Sequence, residues 1–290
     1  MVDSLKLVLP KGRLQDKVVG LLNAIGIDLT FSTRSYRPLC SDPEIEIKLL
    51  KPQNIPPLLA LGRHDAGFAG HDWVLENGLD QTSAVTELLD LGFNKIRLVA
   101  AVPENILTDN RWQRMRLVVA SEYICIAEQY IRDRGLNAVL IKSYGATEAL
   151  PPEDADMIVD NTSTGSTLVA NRLAIVDEIL QSTTRFIASQ KALQDSWKKE
   201  KLEQMRMLME STLHAQNRVM LEMNVAKADL ESLVAGLPCM RFPTIAPLYG
   251  EDGYAVKVAV PSREVSRLIP ELVARGARDL LEYRLEKLVP

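Results

Sequence analysis

Along the first 190 positions, apolar residues come in short runs separated by segments of helical spacing, a pattern of alternating strands and helices. Lys6–Leu9 predicts a short strand. Leu14, Val18, Leu21, Leu22 and Ile25 recur at helical spacing until Gly26 stops them. Ile45–Leu50 alternates like a strand, Ile55–Leu61 has the pattern of a helix, and Asp65–Ala69 that of another strand. Ile96–Val102 leads into a second unit, with strands predicted at Arg116–Ala120 and Ala138–Lys142 around a helix at Ile124–Arg134. An apolar run then ends in the carboxylate of Asp160, and Leu168-Val-Ala-Asn171 is helix-like. Thr184–Ala188 predicts a strand that returns to the first unit. Two α/β lobes with a ligand cleft between them follow, with lobe I at 1–94 and 176–189 and lobe II at 95–175.

The pattern changes after Ser189, which is placed to cap one long amphipathic helix reaching Asn217. Its apolar face takes in Leu193, Trp197, Met205, Leu208, Met209 and Leu213, and Lys198-Lys-Glu-Lys201 is expected on its solvated face. Residues 190–217 thus form a linking helix. Strands at Arg218–Asn224, Pro243–Leu248, Tyr254–Val260 and Arg278–Tyr283, with helices at Lys227–Ala235 and Arg263–Arg275, make the final segment 218–290 β-α-β-β-α-β, the ferredoxin-like order.

With 290 residues, 47% of them hydrophobic, the chain can bury the cores of two or three domains. A net charge of −4 supplies no global attraction for nucleic acid or an anionic membrane, so an anionic ligand must be held by a local cluster. Three cysteines, odd in number and far apart, fit a reducing compartment. Met1-Val-Asp-Ser4 lacks a basic n-region and no apolar run approaches the ~20 residues of a membrane span, so a cytoplasmic location is expected. His64, His71 and His214 do not approach the cysteines at zinc spacing, and no protein-held metal is expected.

The chemistry-bearing residues cluster where strands meet helices. Asp160-Asn-Thr-Ser163-Thr164-Gly165-Ser166-Thr167 sets a carboxylate at a strand end and then offers hydroxyls and backbone N–H groups at a helix start. That combination suits a phosphorylated sugar, carboxylate to the ribose hydroxyls and loop to the phosphate. A hydroxyl-rich turn with an ordinary cap would look the same. Lys11 and Arg13 flank Gly12 at the start of a helix, where the dipole disfavours cations, so they make sense beside an anion; two solvated charges are the alternative. Asp65-Ala-Gly-Phe-Ala-Gly70-His71-Asp72 is a glycine-rich edge where the backbone can approach a ligand. Asp72 can bind that ligand or cap the helix Trp73–Glu76, the latter being the expectation, and His71 is expected on the surface. Glu148 can face the same cleft as Asp160 or pair with a lysine. No serine or threonine stands in a nucleophile constellation, which favours chemistry by positioning and electrostatics.

Four of these segments occur together in one family. Leu9-Pro-Lys-Gly-Arg-Leu14, Asp65-Ala-Gly-Phe-Ala-Gly-His-Asp72, Gly145-Ala-Thr-Glu148 and Asp160-Asn-Thr-Ser-Thr-Gly-Ser-Thr-Leu168 appear in the order seen in ATP phosphoribosyltransferases. The tail resembles the long form of that family through Met220-Leu-Glu-Met-Asn224, Leu237-Pro238, Pro243-Thr-Ile-Ala-Pro-Leu248 and Gly276-Ala277. The resemblance implies an α/β, two-lobe, periplasmic-binding-protein-like catalytic part and a regulatory ferredoxin-like domain. It implies a Mg²⁺-dependent transfer of phosphoribosyl from phosphoribosyl pyrophosphate to N1 of the adenine of ATP, opening histidine biosynthesis. Ser163 to Thr167 would hold the 5-phosphate, Asp160 the ribose hydroxyls, and Lys11, Arg13 and Lys51 the pyrophosphate or the ATP phosphates. Glu148 and Asp72 would line the cleft. Asn224, Met240 and Thr244 match positions that contact histidine, the feedback inhibitor, and a homo-oligomer shifting between dimer and hexamer is implied.

The chain also departs from the family. Lys51 and Asn54 stand where an arginine and an aspartate are usual, losing a bidentate fork and a charge. Asn161-Thr162 replaces two aliphatics, Met240 a common leucine, and Asp279 a small residue. These departures bear on substrate affinity and histidine sensitivity, and they keep open a non-catalytic nucleotide-binding or regulatory paralogue.

Overall fold

The computed structural model describes residues 4–32, 35–107, 112–238, 242–250 and 252–289. In chain order the first part holds β1 (Leu5–Pro10), α1 (Gln15–Ala24), the short ladder of β2 (Leu29–Thr30) and β3 (Leu39–Cys40), β4 (Ile45–Leu50), α2 (Ile55–Ala60), β5 (Ala66–Gly70), α3 (His71–Glu76) and β6 (Val85–Asp90). Next come β7 (Ile96–Pro103), α4 (Glu104–Leu107), β8 (Leu117–Ser121), α5 (Ile124–Arg134), β9 (Ala138–Lys142), β10 (Met157–Thr162), α6 (Ser166–Ala170) and β11 (Leu173–Ser182). The remainder is β12 (Thr184–Ser189), α7 (Gln190–Gln194), α8 (Ser196–Gln216), β13 (Arg218–Ala226), α9 (Leu230–Val234), β14 (Thr244–Pro247), β15 (Gly253–Pro261), α10 (Val265–Ala274) and β16 (Arg278–Arg284). The chain divides into a unit of residues 1–206 and a unit of residues 207–290.

Within the first unit, two five-stranded sheets make the two expected lobes. Lobe I has the order β4-β1-β5-β12-β6, and lobe II β11-β7-β10-β8-β9. Central strands read as continuous apolar runs because both faces are covered: Leu5, Leu7, Val8 and Leu9 of β1 are all fully buried. β12 pairs antiparallel with β5 and β6, so the chain does return to lobe I. The two crossing segments bond to one another, Leu91 N–H to Thr184 O at 3.0 Å and Thr184 N–H to Phe93 O at 2.9 Å, forming a paired hinge.

Three expectations are corrected. The return crossing lies at Ser182–Thr184, because β11 pairs with β7 from Leu173 to Ser182, so lobe II extends past the expected boundary at 175. Two bulges in that pairing, at Ile175/Asp177 and Glu178/Leu180, break the two-residue alternation and hid the strand. Residues 190–217 are not one helix: Ser189 caps α7 by accepting from Ala192 N–H at 3.1 Å, then Asp195 is extended and caps α8 by accepting from Lys198 N–H. Nor does Lys198-Lys-Glu-Lys201 lie wholly in solvent. Lys198 pairs with Asp65 at 2.8 Å, and Lys201 with Asp42 and Glu44 at 2.7 Å each, tying the start of α8 to lobe I.

The second unit has the sheet order β14-β15-β13-β16. Numbered along the unit, that is 2-3-1-4, the ferredoxin-like arrangement expected from the β-α-β-β-α-β pattern. One face packs Leu221, Met223, Val256 and Val260 against Leu233, Leu268 and Leu272 of its helices. The opposite face carries Glu222 and Asn224 of β13 and Lys257 of β15 among the apolar Met220, Ala255 and Ala259.

Candidate functional site

At the hinge, lobes I and II enclose a cavity of about 200 Å³. Lys11, Arg13, Gly70 and Asp72 line it from lobe I, Glu122, Tyr123 and Asn161 from lobe II, and Ser182 to Thr184 from the crossing strand. Lys11 and Arg13 arrive there because β1 ends at Pro10 and the turn through Gly12 redirects the chain into α1. Lys11 Nζ sits 4.6 Å above the ring of Tyr36, which orients the cation without neutralising it. Lys51 is exposed at the start of the turn that follows β4, next to Pro52 and Gln53 of the lining.

The carboxylate-and-hydroxyl segment is built differently from the simple strand end expected. β10 continues through Thr162 on its β7 side, but its parallel pairing with β8 ends at Val159. Asp160 therefore stands just beyond the end of β8, the ligand-facing edge of a parallel pair. Burial raises its carboxyl well above the usual range, to about 6; the Asn161 backbone N–H, at 2.7 Å, opposes this, and the charges of Glu148 and Glu122 add to it. Thr162 is buried, and its Oγ1 accepts from Gly165 N–H at 2.9 Å, closing the loop. Gly165 has φ 83°, a conformation that suits glycine, and leads into α6. Ser163, Thr164, Ser166 and Thr167 are exposed, with the Thr164 and Ser166 hydroxyls 3.0 Å apart. Neither Asp160, nor Glu148, nor this loop lines the hinge cavity itself. They form a second cluster on lobe II, reaching it through Asn161.

Asp72 is not a helix cap. It lies in the first turn of α3, 3% exposed, where Oδ1 accepts from the Ser182 hydroxyl at 2.6 Å and Oδ2 from the Tyr123 hydroxyl at 2.7 Å. The glycines beside it make room for protein rather than ligand. A Cβ on Gly70 would stand 2.1 Å from Asp72 Oδ1, and one on Gly67 2.9 Å from Ile55 and from the Val8 carbonyl. His71 is half-buried against Glu87, with Nδ1 at 2.6 Å from Oε1, away from the cavity lining.

Tyr123, Glu122 and Ser182 were missed by sequence reasoning. Tyr123 is 1% exposed, stacks on Trp73 with centroids 4.4 Å apart, and has its hydroxyl pKa raised by burial and by Asp72. Only its position just past a strand end signalled a role. Ser182 carries no local signal, since it meets Asp72 across 110 residues of chain. Below them, Glu76 of α3 accepts from the Cys125 and Ile126 N–H groups at 3.1 Å each, capping α5 across the lobe boundary.

In the second unit, Asn224 and Thr244 share the outward sheet face, on strands flanking β15 and two register rows apart. Asn224 Nδ2 donates to Asp279 Oδ2 at 3.0 Å, and Asp279 adopts φ 47°. Met240 lies outside the described residues. Among the described residues no group of three His, Cys, Asp or Glu side chains is placed to hold a metal, and no helix is long and apolar enough to cross a membrane.

Comparison with known proteins adds an independent finding. Residues 51–211 match the ATP phosphoribosyltransferase family and residues 215–287 the HisG C-terminal domain. The chain is 41% identical to the ATP phosphoribosyltransferase of Pelotomaculum thermopropionicum, over 99% of each chain. It is 40% identical to that of Chlorobium phaeobacteroides, over 98% of this chain and 97% of the relative. An ATP phosphoribosyl transferase (HisG:HisZ) complex from Thermotoga maritima superposes with a TM-score of 0.61 at 28% identity, covering 71% of this chain and 98% of the solved one.

Proposed function

The chain belongs to the ATP phosphoribosyltransferase family, and from that premise we propose that it opens histidine biosynthesis by the division of labour described next. The observation that carries the reading is the match of about 40% identity along nearly the whole chain, regulatory segment included. In the reaction, the bond from the anomeric carbon of phosphoribosyl pyrophosphate to the pyrophosphate oxygen breaks. The lone pair of adenine N1 of ATP forms the new carbon–nitrogen bond, and pyrophosphate leaves. Positive charge grows on the ribose while negative charge grows on the leaving group, so the site needs an acid near one and cations near the other.

Asp160 supplies the acid and orients the ribose hydroxyls, with Glu148 alongside; Lys11, Arg13 and Lys51 meet the phosphates. Ser163, Thr164, Gly165, Ser166 and Thr167 hold the 5-phosphate through hydroxyls and backbone N–H groups at the start of α6. Mg²⁺ is held by one or two carboxylates and substrate phosphates rather than by a protein cage, and Asp160 with Glu148 is a donor set of that kind. When bound, the ion neutralises charge on the pyrophosphate. Asp72 acts from the cavity wall, its carboxylate already committed to Ser182 and Tyr123.

The second unit binds histidine and slows the first, using Asn224, Thr244 and Met240. A cytoplasmic homo-oligomer moving between dimer and hexamer belongs to the same reading. The test is direct: purified protein with ATP, phosphoribosyl pyrophosphate, Mg²⁺ and pyrophosphatase forms N1-(5-phosphoribosyl)-ATP, with and without histidine. No product across a range of Mg²⁺ concentrations, with nucleotide binding retained, overturns it in favour of a binding paralogue.

A further inference from the structure

Strands β4, β1 and β5 of lobe I run parallel, with Lys11 and Arg13 beyond the carboxyl end of β1. Their amino edge, about 16 Å away along β1, carries two recesses of about 150 and 250 Å³. Lys6 of β1 and Arg63 of the α2–β5 turn line both recesses. Lys191 of α7 and Lys198 of α8 complete the cations of the smaller one. Arg37, before β3, and Lys48 of β4 complete those of the larger, beside His64. Lys6 registers with Glu46, two residues from Lys48 on the same strand, so all three share one face of the sheet.

The acids of the two recesses are already engaged. Asp65 Oδ1 meets Lys198 Nζ at 2.8 Å, and its Oδ2 accepts from the Lys6 backbone N–H at 2.8 Å. Asp195 accepts from the Lys198 backbone N–H at 3.1 Å, and Glu46 from the Ser4 hydroxyl at 2.9 Å. Among the described residues, Lys6, Arg37, Lys48, Arg63 and Lys191 have no ion pair. Six lysines and arginines thus meet three committed carboxylates, in a chain whose net charge is −4. The stem of Lys191 is laid against Gly62, where a Cβ would stand 3.1 Å from its Cδ. Crowded like charges repel one another, and a bound polyanion removes that repulsion.

We propose that the two recesses form an anion site for a diphosphate group, with Lys6 and Arg63 between the phosphates, Lys191 and Lys198 on one, and Arg37 and Lys48 on the other. Two recesses that meet at shared cations suit two linked phosphates, and a guanidinium fork matches phosphate oxygens. The site stands apart from the transferase reading, since none of its residues lines the hinge cavity. His64 reports on it from within. Burial first, then Lys48, Lys6 and Arg37, hold its imidazole below the ordinary histidine range, with Asp65 opposing. Arg63 and Glu46 are the other charged groups of that recess. A bound anion favours the charged imidazole and raises its midpoint.

The test follows His64 by NMR in the full chain carrying ¹³C-labelled histidine. The chain has three histidines, and the His64 signal is identified by its loss in His64→Gln. Inorganic pyrophosphate, added without Mg²⁺ at constant ionic strength, should shift that signal saturably at millimolar concentration or below. With pyrophosphate saturating, the His64 midpoint should rise by about one pH unit. Lys6→Gln combined with Arg63→Gln should weaken binding about tenfold or more, Lys191→Gln by less, and Lys11→Met at the hinge not at all. ADP should bind at least as well as pyrophosphate, and AMP about tenfold more weakly than ADP. Equal binding of ADP and pyrophosphate keeps the site for the diphosphate group alone, and tighter binding of ADP assigns it to a nucleotide. A shift that does not saturate, that sulfate reproduces, or that persists in the double variant with its fold intact by circular dichroism overturns the proposal. So does AMP binding as tightly as ADP. A His64 signal blind to pyrophosphate, with the double variant sedimenting as a smaller oligomer, overturns it in favour of an acidic face on a second copy of the chain.

Discussion

Replacing Asp160 by Asn should make the protein more stable at neutral pH while removing its activity. The carboxyl titrates near 6 in the folded chain against 3.8 for the free group. That gap of about two units corresponds to about 3 kcal/mol at ~1.4 kcal/mol each, and to about 2 kcal/mol once residual solvent screening is allowed for. The sign follows from proton linkage. The folded state holds the proton more tightly than the unfolded one, so the group's stabilising contribution is complete below pH 3.8 and is lost as pH rises through 6. Asn mimics the protonated form and still accepts the Asn161 backbone N–H, so the variant keeps what the wild type loses. Urea unfolding of both proteins across pH 4 to 8 measures the difference. It should be small at pH 4, grow between about pH 4 and 6, and level off above pH 6 at about 2 kcal/mol, with the thermal midpoint raised by roughly 4–8 °C at pH 8. Activity should fall by about a hundredfold or more, as when a group meeting transition-state charge is removed. A variant no more stable than wild type at pH 8, or one stabilised equally at pH 4 and pH 8, would refute the burial account of Asp160.

Other consequences are more local. Gly70→Ala places a Cβ on Asp72 Oδ1, so it should cost about 1–3 kcal/mol by unfolding and weaken the bond between α3 and Tyr123, seen as faster hydrogen exchange at the start of α5. Lys201→Met removes two close carboxylate partners from a side chain only 18% exposed; a loss of about 1–2 kcal/mol is expected, shrinking as salt is raised. Lys11→Met should raise KM for phosphoribosyl pyrophosphate about tenfold or more, with a smaller effect on KM for ATP. Thr244→Arg should abolish inhibition by histidine, and Asp279→Ala should change its half-inhibiting concentration by freeing the Asn224 amide, both read in the product assay; unaltered inhibition in both would move the effector site away from this sheet face.

Much of the architecture was legible because strong periodicity and short connections leave little choice. Ile45–Leu50, Ile124–Arg134 and Ala138–Lys142 form where the pattern put them, residue for residue. The failures have common physical causes. β11 is a ten-residue strand whose alternation is interrupted twice by bulges, so local pattern could not reveal it. The lysines of Lys198–Lys201 look like a solvated helix face because their partners, Asp65, Asp42 and Glu44, lie more than 130 residues away in sequence. The candidate site divided in the same way. Lys11, Arg13 and the loop after Asp160 announce themselves at strand–helix junctions. Asp72 looked like a cap, and its partners Tyr123 and Ser182 lie 51 and 110 residues away. The Asn161-Thr162 pair, puzzling as an interruption, has two separate tasks in the fold: the threonine closes the loop on Gly165, and the asparagine bridges Tyr123 to Asp160.

Those tasks bear on how charge is arranged across the hinge. The cations come from lobe I, where Lys11 and Arg13 follow β1. The acids Glu122, Glu148 and Asp160 come from lobe II, and the charges of the two glutamates add to the cost that burial places on ionising Asp160. Placing unlike charges on separate lobes leaves each wall unneutralised within the free protein, which adds to the burial that raises the carboxyl of Asp160. A substrate that ends one bond with positive charge on its sugar and negative charge on its leaving group is complementary to both walls at once. Such complementarity works only while the walls keep their alignment, and that is where the neutral hydrogen bonds matter. Ser182, Asp72, Tyr123 and Asn161 join the crossing strand, lobe I and lobe II without an ion pair, and Glu76 docks α3 onto α5 beneath them. Alignment of the lobes thus rests on buried neutral donors and committed carboxylates, leaving Lys11, Arg13 and the free oxygen of Asp160 for the substrate.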